Sequence, residues 1–317
     1  MQNIVILGTG GTIAGRAARA DDTVGYRAGE LGVQALIDAV PGLARWSLEA
    51  EQLAQIDSKD MDLTTWQRLA LRAAAHLARP EVAGVVVTHG TDTLEETAWF
   101  LHRVLAPADK PLVLTAAMRP ATALGADGPQ NLLDAVTLAA EPGATGVLVL
   151  LGGQVHGAAD LRKVHSWRLE AFSSGDAGPV ALLQAGVVRV LRPWPTGTAW
   201  AGDFQRSADW PWVAVLSNHA GADGREVRAL VQAGVQGLVV AGTGNGTLSQ
   251  PLEAALREAQ AAGVVVRRCT RCAFGPVLDP PRGTEPAALP SAGERTPWQA
   301  RVDLLLELAL DEKLRRP

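Results

Sequence analysis

Cysteine is nearly absent from this chain: Cys269 and Cys272, in the run Cys-Thr-Arg-Cys, are the only two. A lone C-x-x-C lacks the second ligand pair that a zinc site needs, and residues three apart in a strand point to opposite faces. Two reduced, partly buried thiols are therefore expected, with no metal and no oxidising compartment implied. No basic segment followed by an apolar stretch opens the chain, so no secretory leader is expected and a cytoplasmic location is inferred. Long hydrophobic runs are also missing. The longest charge-free stretch, Pro142–Ala159, is broken by glycines, Gln154 and His156, and reads as a core strand plus loop, not a membrane span.

Positive charge is not in excess, with 29 Lys and Arg against 33 Asp and Glu for a formal net charge of −4. That balance offers no electrostatic footprint for nucleic acid, and the densest arginine group (Arg267, Arg268, Arg271) sits near a strand end. Nucleotide fingerprints fail on inspection. Gly8-Thr-Gly10-Gly11-Thr12-Ile13 lacks the third glycine or alanine of G-x-G-x-x-G, and no G-x-x-x-x-G-K-[ST] occurs. No cofactor is expected.

What is present is a recurrent pattern of short apolar, β-branched runs separated by helical stretches. Hydrophobic residues make up 47% and charged residues 20%, and 317 residues exceed the usual size of one core, so two domains are expected. Strands are read at Ile4–Leu7, Val85–Val87, Leu112–Leu114, Val147–Leu151, Val213–Leu216, Leu238–Val240 and Val264–Val266. Thr93-x-x-Glu96 reads as a capping box opening a helix through about Val104. Further helices are read over Pro129–Ala140, from Pro251 to about Ala261, and over Pro297–Leu310. The alternation predicts an α/β fold: a larger amino-terminal domain with a mainly parallel sheet flanked by helices, and a smaller α/β carboxy-terminal domain. The expected boundaries are 1–191, a Pro- and Trp-rich linker over 192–211, and 212–317. Gly275–Pro297, rich in Pro, Gly and Ala, reads as a surface loop.

Two glycine- and threonine-rich turns each follow an apolar run: Gly8-Thr-Gly-Gly-Thr12-Ile-Ala-Gly15 and Thr88-His-Gly-Thr91-Asp92-Thr-Leu-Glu-Glu96. In open parallel sheets ligands bind beyond the carboxyl ends of the strands, which is where both turns lie. Thr12 has two readings. It is a nucleophile in need of a base or cation, with Gly10-Gly11 amides as an oxyanion hole, or it caps the helix that follows. Thr91 and Asp92 are free for function if Thr93 supplies the cap: Asp92 suits an amino group or orients a base, and Thr91 suits a water or attacks itself. His89 reads as a packed, hydrogen-bonded core residue. Tyr26 is the only tyrosine and lies in a glycine-punctuated segment that suits a closing lid. It either activates Thr12 or anchors that loop.

These motifs, in this order, resemble the bacterial-type L-asparaginases, the threonine amidohydrolases. The resemblance rests on Gly10–Gly15 and Thr88–Ala98, with support from Ala117-Met-Arg-Pro120, Ala126-Asp-Gly-Pro129 with Asn131-Leu132, and Gly242-Thr-Gly-Asn245-Gly246. It runs over nearly the whole chain. It implies Thr12 as the nucleophile that attacks a side-chain amide, Tyr26 as the lid residue that helps deprotonate it, and Thr91, Asp92 and Lys163 as a second group. By itself Lys163 would pass for an ordinary surface lysine. The resemblance further implies that Asp92 takes the ammonium of L-asparagine and Ser58 its α-carboxylate. The Ala117 carbonyl would accept from the leaving amide, and Asn245 would reach in from a neighbouring subunit of a homotetramer built as a dimer of dimers.

One departure is visible. The family's loop glutamate falls on a proline in an ungapped match within Asp279-Pro-Pro-Arg-Gly-Thr-Glu285-Pro, so either Glu285 serves in a shifted register or the role is absent. L-Glutamine, one methylene longer, is expected as a weaker substrate. Two alternatives compete with this reading. The amidase subunit of a tRNA-dependent amidotransferase usually needs sequence before the first strand. A non-catalytic amino-acid-binding protein would place no demand on Thr12, Thr91, Asp92 and Lys163 together.

Overall fold

A computed structural model describes residues 3–105, 109–197, 210–281 and 288–310. The chain forms two compact units, Met1–Ala201 and Gly202–Pro317.

The first unit contains, in chain order, β1 (Asn3–Gly10), α1 (Val33–Asp38), β2 (Ser47–Ile56), α2 (Leu63–Leu77), β3 (Val82–Thr88), α3 (Leu94–Val104), β4 (Pro111–Thr115) and α4 (Gly128–Ala139). It continues with β5 (Gly146–Leu151), β6 (Gln154–Gly157), β7 (Arg162–Lys163), β8 (Phe172–Ser173), β9 (Ala181–Gln184) and β10 (Val187–Val190). Eight strands form one sheet in the order β10-β9-β6-β5-β4-β3-β1-β2. From β2 through β5 every pairing is parallel; β6, β9 and β10 extend the sheet antiparallel. β7 and β8 make a separate two-stranded pair.

Burial on both faces explains the continuous apolar runs. Ile4 and Ile6 face a core shared with Val86, Val113, Leu148 and residues of α1 and α4 such as Leu36, Leu132 and Val136. Alternate residues point to the opposite face. There Val5, Leu7, Val85 and Val87 are equally buried, and α2 packs against β1, β2 and β3. β2 has no apolar run to mark it as a strand: Ser-Leu-Glu-Ala-Glu-Gln-Leu-Ala-Gln-Ile is mostly half-buried, as a sheet-edge strand can be.

The second unit holds β11 (Val213–Ser217), α5 (Arg225–Gln232), β12 (Gly237–Gly242), α6 (Gln250–Ala261), β13 (Val265–Thr270) and α7 (Pro297–Leu310). Its three strands are parallel in the order β11-β12-β13. The core joins Leu238, Val240 and Val266 to Val227, Leu252 and Leu256. Ser249 caps α6 by accepting from Leu252 N, and Pro251 occupies its first turn. Among the described residues no helix is long and apolar enough to cross a membrane.

Candidate active site

The first unit's sheet order sets the place of the site. From β1 the chain moves to β2 on one side, then crosses to β3 on the other and continues to β4 and β5. Connections therefore diverge between β1 and β3, and the carboxyl ends at such a switch point leave a crevice for ligand. The two threonine-rich turns emerge there.

Glycine lets the turns meet. Gly11 has φ +81°, and a Cβ on it would collide with the backbone of Gly90; a Cβ on Gly90 would in turn strike the Ser58 hydroxyl. Gly11 N also donates to Ile56 O at 2.8 Å, tying the turn to the end of β2. Three segments thus converge: the turn after β1, the turn after β3, and the short 3-10 turn Ser58–Asp60.

Thr12 opens a 3-10 turn, Thr12–Ala14, whose preceding residue is Gly11. The capping alternative is not what forms: the Thr12 hydroxyl lies 2.7 Å from the phenol oxygen of Tyr26. Tyr26 is held by a two-way backbone bridge in which Arg16 N donates to Arg27 O and Arg27 N to Arg16 O, both at 2.9 Å. The segment carrying Tyr26 is also anchored from outside. Ala17 N donates to the Thr122 hydroxyl at 2.9 Å, and Leu124 N to Ala20 O at 3.1 Å. At Gly15 a side chain would press on the Tyr26 ring.

On the β3 side, Lys163 Nζ donates to Thr91 Oγ1 at 3.0 Å and to Asp92 Oδ1 at 2.6 Å. The lysine side chain is 19% exposed and the aspartate 55%, so one end of this group is covered and the other faces solvent. Lys163 N donates to Glu95 Oε2 at 2.7 Å. Ser58 is buried, with its hydroxyl accepting from Asp92 N at 3.1 Å. Thr93 stands at the N-cap of α3 but does not form the expected capping box. Its side chain makes no capping hydrogen bond to α3; its hydroxyl donates to Ser58 O at 2.8 Å, fastening the Ser58 turn to the Asp92 turn.

His89 is fully buried and its hydrogen bonds define its tautomer. Nδ1 is 2.7 Å from Gly90 O, which can only accept, so Nδ1 carries the proton and donates. Nε2 then accepts from the Thr97 hydroxyl at 3.0 Å, and that hydroxyl accepts from Trp66 Nε1 at 2.8 Å. Burial lowers the imidazole pKa to about 4, the Gly90 carbonyl opposing it, so the ring is neutral near pH 7. It is the packed core residue expected, and it holds the carbonyl that precedes Thr91.

Ala117 lies buried just beyond β4. Two residues quoted only as motif matches shape its surroundings: Asp127 accepts from Met118 N at 2.9 Å and Arg119 N at 3.0 Å. Asn131 donates to Ala116 O at 2.9 Å and accepts from Gly152 N at 3.0 Å. Glu95, Asp127 and Asn131 had no role in the sequence reading. Asp-Gly-Pro followed by Asn at the start of a helix was the one local signal available for the last two.

In the second unit, Asn245 donates from Nδ2 to Leu278 O at 2.9 Å and accepts at Oδ1 from Leu278 N at 2.7 Å. The clustered arginines are engaged internally. Arg267 pairs with Glu307 at 2.6 Å, Arg268 with Asp279 at 2.7 Å, and Arg271 donates to Asn218 O at 3.3 Å. Both cysteines are free: Cys269 is buried, which pushes its thiol up to about 12, and Cys272 is exposed. Glu285 and residues 198–209 of the expected linker lie outside the described residues.

The family described as Asparaginase, N-terminal matches residues 3–196, and the Glutaminase/Asparaginase C-terminal domain matches 212–316. The chain belongs to the asparaginase family. Among asparaginase relatives, L-asparaginase 2 of Bacillus subtilis (strain 168) is 37% identical over 316 residues, covering 97% of this chain and 83% of that one. L-asparaginase 2 of Escherichia coli (strain K12) is 36% identical over 318 residues, covering 98% and 90%. The solved structure of a probable cytoplasmic L-asparaginase from Campylobacter jejuni superposes with a TM-score of 0.91 at 36% identity, over 99% of this chain and 98% of that one. The asparaginase scaffold therefore extends through both units.

Proposed function

We propose that this chain hydrolyses L-asparagine to L-aspartate and ammonia through an acyl-enzyme on Thr12. The observation that carries the reading is that the two turns packed against each other at the β1/β3 switch point each carry a polar group, Thr12 with Tyr26 on one and Thr91 with Lys163 and Asp92 on the other. In the first step Thr12 Oγ1 forms a bond to the side-chain amide carbon, and its proton passes to the Tyr26 oxygen as the phenol proton moves on to the amide nitrogen. The carbon–nitrogen bond breaks, and the nitrogen leaves as ammonia carrying that proton. In the second step water attacks the ester carbon, the bond to Thr12 breaks, and Thr12 recovers its proton. A hydroxyl needs such a proton acceptor to attack at neutral pH.

Lys163 orients Thr91 and, through it, the attacking water. Asp92 takes the substrate ammonium and Ser58 the α-carboxylate, fixing both ends of an amino acid so that the amide meets Thr12. The Ala117 carbonyl accepts from the leaving amide. Asn245 acts from a neighbouring subunit of a homotetramer, and the family's loop glutamate is either replaced by Glu285 in a shifted register or absent. L-Glutamine is a weaker substrate, a single methylene typically changing discrimination about 10–200-fold.

Ammonia release from L-asparagine, with Thr12→Ala beside the parent, tests this. Release by the parent and near-silence from a folded variant are expected; a folded, oligomeric parent that releases none refutes the reading. L-Glutamine run in parallel measures the preference.

A further inference from the structure

Glu95 is a buried carboxyl group that the reaction above does not use. It sits in the first turn of α3, only 7% exposed, three residues after Asp92. Its Oε2 accepts from Lys163 N at 2.7 Å, across 68 residues of chain. Lys163 lies in β7, a strand of two residues paired only with β8, so its local structure fixes it weakly. The carboxyl group therefore reaches the backbone of the residue whose Nζ meets Thr91 and Asp92.

We propose that Glu95 is a positioning residue: by holding the Lys163 main chain against α3, it sets the Lys163 amine on Thr91 and Asp92. The proposal rests on the functional reading above for its kinetic consequences, but the tether itself is independent of that reading.

The tether is pH-sensitive. Burial raises the Glu95 pKa from the ordinary carboxyl range to about 7; the Lys163 N–H opposes this, Glu96 adds to it, and Arg162 and Lys163 oppose it. Asp92 is ion-paired with Lys163 at 2.6 Å. An ionised carboxylate is the stronger acceptor. As pH falls through 7 the group gains a proton, the hold on Lys163 weakens, and the site loses alignment. A misplacement of about 1 Å costs about 10²-fold in rate.

Two substitutions and one spectroscopic signal test this. Glu95→Gln keeps an acceptor oxygen but cannot titrate; it should stay within about tenfold of the parent while the acid limb of kcat/KM near pH 7 disappears. Glu95→Ala should lower kcat about 10²-fold with KM within a few-fold. Labelling with 15N-lysine yields four backbone lysine amides, at Lys59, Lys110, Lys163 and Lys313. The Lys163 signal, assigned by its loss in Lys163→Arg, should titrate near pH 7 in the parent and stay still in Glu95→Gln. A Lys163 amide that does not titrate in the parent, an acid limb that survives in Glu95→Gln, or parent-level kcat in Glu95→Ala each overturns the proposal. If Glu95→Ala does not fold, the parent and Glu95→Gln titrations decide. A titrating amide in a chain that leaves asparagine intact keeps the tether and discards only the reaction.

Discussion

The hydroxyl of Thr12 and the phenol of Tyr26 stand 2.7 Å apart, joined across fourteen residues by a segment that is itself pinned to residues 122–124. Anchoring the loop and touching the threonine are one arrangement here, because the backbone bridge between Arg16 and Arg27 fixes where the ring lies.

Tyr26→Phe separates the two contributions. The ring still packs on Gly15, but the hydroxyl proposed to relay the Thr12 proton is gone, so kcat should fall about 10²–10⁴-fold while KM and melting temperature stay near the parent values. Steady-state ammonia release and a thermal melt measure both. Undiminished kcat would reduce Tyr26 to an anchor.

Lys163→Met removes the cation shared by Thr91 and Asp92 and should cost about 10²-fold or more in kcat. Thr91→Val should cost a comparable amount. Because the two side chains touch, the double variant should be little worse than either single one. Fully additive losses would mean that they act separately.

Gly11→Ala combines a left-handed backbone with a collision against Gly90, whereas Gly143 has a similar φ of +78° and open space around its Cβ position. Gly143→Ala should cost about 1–2 kcal/mol of stability, the strain of a left-handed alanine, and leave activity intact. Gly11→Ala should cost more and abolish turnover, since the turns after β1 and β3 must separate. Denaturant midpoints and rates on the two variants provide the contrast, and equal effects would argue against close packing of the turns.

Acid should destabilise the fold through two histidines. His89 and His156 are both lowered to about 4 in the folded chain from an ordinary 6.5; burial is the leading cause in each, and Arg192 adds to it at His156. The unfolded chain therefore binds more protons between these values, and stability is lost as pH falls from 6.5 to 4. Each histidine accounts for about 3 kcal/mol by the lower end. Glu95 works in the opposite sense, its raised pKa of about 7 favouring the folded chain as pH falls toward 4.5. Urea midpoints between pH 4 and 7.5 should show a decline that flattens in His89→Gln and His156→Gln variants; a decline unchanged in both would assign acid sensitivity to other groups.

Local pattern alone was enough for the strands buried on both faces and for α7, read over Pro297–Leu310 and found over the same residues. Those features follow from side-chain burial and backbone sterics within a few residues, which a sequence displays directly. The two threonine turns were legible as well, because glycines at the carboxyl ends of strands mark where backbone must pass close to backbone. β2 was not, since a half-buried edge strand carries no apolar run. Thr93 misled for a related reason: its spacing to Glu96 matches a cap, yet the buried Ser58 carbonyl competes for its hydroxyl and takes it. Lys163 reaches Thr91 across 72 residues and Glu95 reaches Lys163 across 68, so no local signal in the chain distinguishes them from surface charges. The alternation of strand and helix and the two turns that carry the threonines follow from residue order alone. Which charges stand beside those threonines depends on the fold, because sheet order and burial bring residues distant in the chain together.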